Sequence, residues 1–184
     1  MIVVKLQGGI GNQMFQYAAG RALSLQHNTE LMLDLCYIDN DKKRKYELDA
    51  FGIGNDDQTK IKKSSIINNI PILKRLSSEY KFSDYTICKQ PSISFDANFS
   101  IYPNDCYLDG YWQSTKYFLE YEQEIRNDFQ FNNFILDKYG DLQDKLRKVN
   151  SIAIHLRRCD YVANQIHGAL DVEYYVNVVD FISD

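Results

Sequence analysis

Residues 2–35 read IVVKLQGGIGNQMFQYAAGRALSLQHNTELMLDL, and this stretch decides the fold class. Its beginning, Ile2–Leu6, is a short β-branched run that is typical of a buried strand. Over Gln13–Gln26 the apolar residues fall three or four apart, which predicts a helix with Asn12 as its N-cap. A second apolar run, Glu30–Leu35, predicts another strand. Strand, helix and strand in this order form a βαβ unit, so the sequence predicts an α/β fold with a parallel sheet.

The turn between the first strand and the helix carries Gly8, Gly9 and Gly11. It lacks the last glycine of a dinucleotide fingerprint, because Met14 stands at that position, and no Lys-Ser/Thr pair follows, which excludes a P-loop. Two interpretations stay open. The glycines serve a tight turn that needs positive φ, or they let a ligand approach the backbone at the N-terminus of the helix.

Downstream of this unit the sequence predicts further strands and helices. A strand is expected over Asp105–Trp112, followed by a helix over Ser114–Phe129 with the serine as its cap and a second amphipathic helix over Leu136–Lys148. An interrupted helix is expected over Ser64–Leu76. Short aromatic and polar runs within Glu79–Pro103 predict small strands or irregular structure.

A second informative stretch reads IAIHLRRCDY at residues 152–161. Its alternation predicts a strand in which Ile152, Ile154 and Leu156 share one face. A final helix is expected over Leu170–Ile182, with Asp171 as its cap. Because a strand buried on both faces stays apolar to its end, the cationic end of this strand calls for an explanation.

The cationic end consists of Arg157 and Arg158, with His155 just before them and Asp160 just after. Open α/β sheets place their ligands at the carboxyl ends of strands, and a phosphate fits the planar guanidinium fork well. On these residues alone an equally simple interpretation is a solvated arginine pair with Asp160 as a local ion-pair partner. The residues therefore predict either an anion site or a structural ion pair.

Composition and cysteine content narrow the class of protein. A net charge of −4 over 184 residues gives no global field that would favour nucleic acid. None of the four cysteines forms a CxxC pair, so a zinc site is not expected and no metal ligands are assigned. The N-terminal MIVVKLQGG is not typical of a signal peptide, and no run approaches the length of a membrane span. We therefore expect a cytoplasmic protein with free thiols.

Three spaced segments resemble the α-1,2-fucosyltransferases of glycosyltransferase family 11. They are GGIGNQMFQYA at residues 8–18, GYWQSTKYF at 110–118, and HLRRCDY at 155–161, which is similar to the HxRRGDY motif of fucosyltransferases. The loop at Ile166–Gly168 and the pair Tyr174-Tyr175 also match the family pattern in order. The resemblance therefore runs through most of the chain.

The resemblance implies a GT-B-like fold of two Rossmann-like domains. Residues 1–149 would form the N-terminal, acceptor-side domain, and residues 150–184 would form the first strand, loop and helix of an incomplete C-terminal donor-binding domain. The implied reaction is an inverting, metal-independent transfer of fucose from GDP-fucose to the 2-hydroxyl of a terminal galactose on an oligosaccharide, as in O-antigen synthesis. No cofactor is implied beyond the donor substrate. The resemblance also implies a protein that is soluble or peripheral to the inner face of the membrane.

The resemblance also implies roles for single residues. Cleavage of the fucosyl–phosphate bond leaves negative charge on the β-phosphate, which fixed cations must hold when no metal does. Arg157 and Arg158 would be the catalytic residues on the pyrophosphate. His155 would flank the donor, and Asp160 would orient an arginine or cap the loop. The residues that would face the cleft from the first domain are Gly9, Gly11, Asn12 and Gln13.

Two departures from the family pattern leave competing hypotheses. Cys159 replaces the usual glycine of the arginine motif, and family members continue well beyond residue 184. The leading hypothesis is the N-terminal part of an α-1,2-fucosyltransferase. The others are a non-catalytic nucleotide- or phosphate-binding module and an inactive truncation that exposes an apolar edge.

Overall fold

The structure is a computed structural model that describes residues 1–54, 60–61, 86–156 and 170–183. Its strands form one sheet in which every neighbouring pair is parallel. The strands are β1 (Ile2–Lys5), β2 (Leu31–Asp34), β3 (Lys60–Ile61), β4 (Thr86–Lys89) and β5 (Cys106–Asp109), and the sheet order is β3-β2-β1-β5-β4. The predicted α/β fold with a parallel sheet is therefore confirmed.

Four α-helices lie within the described residues: α1 (Ile10–Gln26), α2 (Glu122–Asp128), α3 (Asn133–Arg147) and α4 (Val172–Ser183). Short 3-10 turns connect them to the strands at Ile38–Asn40, Leu48–Phe51, Ala97–Ile101, Thr115–Tyr117 and Leu119–Tyr121.

Helix α1 packs against the central strand β1. The side chains of Ile2, Val4 and Leu6 are fully buried, and these alternating residues share one face of the sheet. A Cβ on Gly20 would collide with the Val4 side chain, so this glycine lets the helix come close to the strand. The predicted βαβ unit is present, with β1 and β2 in parallel register from Ile2 opposite Leu31.

An aromatic cluster closes the core beside β5. The indole of Trp112 is fully buried, and its ring lies 5.3 Å from Phe99 and 5.4 Å from Tyr117 between ring centroids. Tyr102 packs edge-on against the same indole at 6.1 Å. Such tilted and edge-to-face contacts are the favoured geometry of aromatic pairs.

The helix predicted over Ser114–Phe129 is broken in the structure. Ser114 does cap, accepting a hydrogen bond from Lys116 N, but only 3-10 turns follow until α2 begins at Glu122. The neighbouring side chains Tyr117 and Phe118 pack in different places, the first in the aromatic cluster and the second against Phe15. The 3-10 turns thus accompany aromatic packing of both residues with distant parts of the chain, and this tertiary packing overrides the local periodicity.

The strand predicted over residues 152–156 is also absent. Residues 151–156 form no strand ladder, and all their side chains are exposed. Pairing needs a neighbouring strand, and the described residues from Tyr139 onward contain none. By contrast, the final predicted helix is present as α4, and Asp171 Oδ1 accepts from Tyr174 N at 2.8 Å.

The chain divides into two compact units, Met1–Lys138 and Tyr139–Asp184, with the division inside α3. The predicted domain division after residue 149 and the GT-B arrangement stay predictions. The helix predicted over Ser64–Leu76 lies outside the described residues.

Candidate functional site

The glycine turn lies at the carboxyl end of β1. Gly8 has φ +79°, a left-handed conformation that favours glycine, and Gly9 is the N-cap of α1. Helix α1 begins at Ile10, earlier than predicted, so Asn12 lies in the first turn and is not the cap. A Cβ on Gly8 would collide with the Asn12 carboxamide. The turn therefore depends on glycine both for its backbone angle and for the close approach of Asn12.

Two glycines at the start of α1, Gly9 and Gly11, border open space. A Cβ on Gly11 would meet nothing within 4 Å, and one on Gly9 would meet only Arg44 Nη1 at 3.6 Å. The first turn has no capping side chain and no acidic residue. The N-terminus of a helix presents backbone N–H groups and the positive end of the helix dipole, which suits an anionic or polar ligand.

Two buried glutamines of α1, Gln13 and Gln16, form hydrogen bonds that stabilise the glycine turn and the residue before it. Gln13 Nε2 donates to Gly8 O at 3.0 Å and to Lys45 O at 2.9 Å, while Gln13 Oε1 accepts from Glu47 N at 3.0 Å. Gln16 forms two hydrogen bonds with the backbone of Gln7: its Oε1 accepts from Gln7 N at 2.9 Å and its Nε2 donates to Gln7 O at 3.2 Å. Both side chains are fully buried. Gln13, predicted to face the cleft, instead joins the glycine turn to the 45–47 segment.

The loop that follows β5 reaches the glycine turn through one hydrogen bond. Gln113 Nε2 donates to Asn12 Oδ1 at 2.7 Å. This contact joins the first and second family-like segments, GGIGNQMFQYA and GYWQSTKYF, in space. The structure therefore brings Gly9, Gly11 and Asn12 together with a residue for which the sequence had predicted no role.

A row of polar side chains at the carboxyl ends of three strands was not predicted. Lys5 Nζ contacts Asp109 Oδ1 at 2.9 Å, and Tyr107 donates to Asp34 Oδ2 at 2.7 Å. Lys5 and Asp34 are paired in register, so they point to the same face of the sheet. An acidic residue closing each apolar run, in LMLD and CYLD, was the sequence signal that could have found this row.

Burial fixes the protonation of the groups around Asp34. It raises the pKa of the Tyr107 phenol well above its usual value, and the Asp34 carboxylate adds to the shift. The same two causes raise the pKa of the Cys36 thiol. Both groups therefore stay protonated at neutral pH, which makes Cys36 a poor nucleophile.

The predicted donor residues are placed only in part. His155 is described and exposed, in the unit Tyr139–Asp184. Arg157, Arg158 and Asp160 lie outside the described residues, and so does Cys159. Within that unit the described residues line an apolar pocket. It is a groove of about 440 Å³ lined by Ile154, Leu156, Val172, Tyr175, Val176, Val179 and Asp180.

The other features of the described ranges concern thiols, metal ligands and membrane spans. Cys36, Cys88 and Cys106 are free thiols. No group of three or more His, Cys, Asp or Glu side chains lies close enough to hold a metal ion in this part of the chain. None of its helices has both the length and the apolar character that a membrane span requires.

Comparison with known proteins gives the family. The model of "Glycosyl transferase family 11" matches residues 1–184. The chain belongs to this family. The predicted family is thereby confirmed.

Two curated relatives of the chain come from Escherichia coli. One is an "Alpha-1,2-colitosyltransferase", 32% identical over 100% of this chain and 64% of its own length. The other is the "O-antigen biosynthesis glycosyltransferase WbnK", 29% identical over 97% of this chain and 67% of its own length. The chain thus spans about two thirds of the length of these curated relatives. No solved structure matches it.

Proposed function

We propose that this chain forms part of an enzyme that transfers fucose from GDP-fucose to the 2-hydroxyl of a terminal galactose on a glycan. The observation that carries the proposal is the match of the whole chain to glycosyl transferase family 11. At the coarser level, the proposed activity is transfer of a glycosyl group from a nucleotide sugar to a glycan acceptor. The expected cytoplasmic site of action, at most peripheral to the membrane, is part of the same proposal.

The charges of the arginine motif suit the departure of GDP. As the bond between the sugar and the β-phosphate breaks, negative charge grows on the phosphate oxygens and the sugar becomes oxocarbenium-like. Arg157 and Arg158 supply two fixed cations without a metal ion, and guanidinium groups bind phosphate oxygens in a bidentate manner. The glycine turn of the first unit is proposed to receive the sugar side of the reaction.

A variant series in the natural full-length protein tests the role of the arginines. We expect Arg157→Ala to lower kcat about 100-fold or more. This is the effect of removing one fixed hydrogen-bond donor that stabilises the charge developing in the transition state. Arg157→Lys should retain only a part of the wild-type kcat, because an ammonium group cannot form the bidentate contact with phosphate oxygens. Arg147→Ala, at the exposed end of α3, is the matched control. Unaltered activity of Arg157→Ala would remove this residue from the mechanism.

A second candidate donor follows from the relative that is named as an α-1,2-colitosyltransferase. Colitose is fucose without its 3-hydroxyl, so one donor pocket has to distinguish the two sugars by a single hydroxyl. A site built to bond that hydroxyl rejects the deoxy analogue by about 10⁴-fold or more, whereas a site shaped for the deoxy sugar discriminates far less. Comparing kcat/KM for GDP-fucose and GDP-colitose separates the two candidates.

The competing non-catalytic hypothesis has its own test. A nucleotide-binding module would bind GDP in calorimetry but would transfer no sugar from either donor. Binding of GDP together with turnover of GDP-fucose is the result that the proposed enzyme predicts.

A further inference from the structure

Two carboxamides from distant parts of the chain meet beside the glycine turn. Gln113, in the loop after β5, donates from Nε2 to Oδ1 of Asn12, in the first turn of α1, at 2.7 Å. Gln113 is exposed and Asn12 is half-buried, so a ligand in solvent can reach the pair. We call these two side chains the amide pair.

The loop that carries Gln113 is held in a strained conformation. Trp112, the residue just before it, has φ +54°, which a residue with a side chain rarely adopts. Its indole is fully buried, and its Nε1 has no partner among the residues that the structure describes. Gln90 Oε1 accepts from both Tyr111 N, at 2.9 Å, and Trp112 N, at 3.0 Å. Strain that the surroundings keep in place is typical of functional sites, where it positions a neighbouring group in advance.

Asn12 is equally well positioned. It belongs to the first turn of a 17-residue helix, and its carboxamide lies over Gly8, where a side chain would collide with Nδ2. Asn12 thus lies against Gly8, and its hydrogen bond holds the carboxamide of Gln113 beside it. The contact between them joins two elements 101 residues apart in sequence.

The chemistry of the amide pair points to a hydroxyl group. Their mutual bond uses Gln113 Nε2 and Asn12 Oδ1, which leaves Asn12 Nδ2 as a donor and Gln113 Oε1 as an acceptor. Within the described ranges neither of these atoms has a partner in the structure. A sugar hydroxyl both donates and accepts, so it can satisfy the two atoms at once, whereas a phosphate oxygen would face the lone pairs of Oε1.

We infer that the amide pair is a hydroxyl-binding subsite for a sugar substrate and that Gln113 is one of its binding residues. The inference rests on the proposed function, because it assumes that a sugar binds beside the glycine turn. The hydroxyl belongs either to the acceptor or to the transferred sugar, and the experiment below separates these sources.

The test uses the natural full-length protein with Gln113→Met, which keeps the size of the side chain but removes both polar atoms. We expect the KM of one sugar substrate, donor or acceptor, to rise about tenfold, the effect of losing a neutral hydrogen bond, while kcat stays within about twofold. For that substrate, one monodeoxy analogue should bind equally well to wild type and variant. Asn12→Ala combined with Gln113→Met should cost no more than Asn12→Ala alone.

The controls separate binding from folding. Gln123→Ala, an exposed glutamine on α2, should change neither KM. Urea unfolding of Gln113→Met should match wild type, because the side chain is exposed. If both KM values are unchanged, or if the loss of activity follows a loss of stability, the inference is overturned.

Calorimetry with methyl β-galactoside and with L-fucose separates this inference from the proposed function. If wild type transfers no fucose but binds one of these sugars, and Gln113→Met weakens that binding tenfold, the proposed function fails and the subsite stands. If wild type transfers fucose and Gln113→Met behaves as wild type, the subsite fails and the function stands. A protein that neither transfers fucose nor binds either sugar contradicts both.

Discussion

At the scale of single residues, the glycines of the turn differ in what they do. Gly8 is left-handed and lies against Asn12, whereas Gly11 is helical and faces open space. We expect Gly8→Ala to lower the free energy of unfolding by about 1–2 kcal/mol, because an L-residue at positive φ is strained and its Cβ collides with Asn12. Gly11→Ala should leave stability unchanged or slightly raised, since alanine is the better helix former.

Urea denaturation of both glycine variants checks this difference. If Gly11 borders the ligand as proposed, Gly11→Ala should keep its stability while sugar transfer falls. Equal stability losses at the two positions would contradict the role assigned to the turn.

The pair of Tyr107 and Asp34 makes a prediction about alkaline pH. The pKa of Tyr107 is raised in the folded protein, so the folded state holds this proton more tightly than the unfolded state does. The resulting stability is complete below the unfolded value of about 10 and is lost as pH rises from there towards the folded value. We therefore expect wild type to lose stability faster than Tyr107→Phe above about pH 10.

At neutral pH the same variant should be less stable by about 1–2 kcal/mol, because Asp34 Oδ2 loses its donor. Urea midpoints measured from pH 7 to pH 11 test both statements. Tyr37→Phe, at an exposed tyrosine, is the matched control. Parallel pH profiles for wild type and Tyr107→Phe would contradict the prediction.

At the scale of elements, the loop after β5 depends on Gln90 at the end of β4. Its Oε1 accepts from two successive backbone N–H groups, those of Tyr111 and Trp112, in a loop that is strained at the second residue. We expect Gln90→Ala to destabilise the protein by about 1–3 kcal/mol, since two backbone donors lose their acceptor. Gln90→Glu should be milder because it keeps an acceptor. Circular dichroism during urea unfolding is the measurement, and an Ala variant as stable as wild type would show that the loop holds without Gln90.

Local patterns predicted the elements that are built from local contacts. The βαβ unit of residues 2–35, strand β5 and helices α3 and α4 follow from periodicity and capping residues. The elements that failed depend on partners elsewhere in the chain. Residues 151–156 have the alternation of a strand but no neighbouring strand among the described residues, and Ser114–Phe129 breaks because its aromatic side chains pack in different places.

The site shows the same division. The sequence predicted the glycine turn and its position at a strand end, because these are features of consecutive residues. It missed the burial of Gln13, whose partners Lys45 and Glu47 lie on a separate segment, and the contact of Gln113 with Asn12. Hydrogen bonds across such distances leave no periodicity in the sequence.

At the scale of the whole molecule, the unit Tyr139–Asp184 exposes much apolar surface. The exposed fractions of Val172 and Phe181 on α4 are 69% and 84%. Exposed apolar patches of this kind promote association. We expect the 184-residue polypeptide, expressed by itself, to self-associate, and sedimentation velocity should show species larger than the monomer.

Replacing Val172 and Phe181 together with serine should shift the sedimentation profile of this polypeptide towards the monomer. Replacement of Lys145 and Lys148, exposed charged residues of the same unit, with serine is the control and should not. A monodisperse wild-type monomer would contradict the prediction.

The central claim is that the full-length protein transfers fucose to the 2-hydroxyl of galactose with inversion. The most direct measurement is the NMR spectrum of the product formed from GDP-fucose and a β-galactoside by the natural full-length protein. The account predicts an α-linked fucosyl residue on the 2-oxygen of galactose. A product linked elsewhere, retention of the donor's β-configuration, or transfer from GDP-colitose but not from GDP-fucose would contradict it.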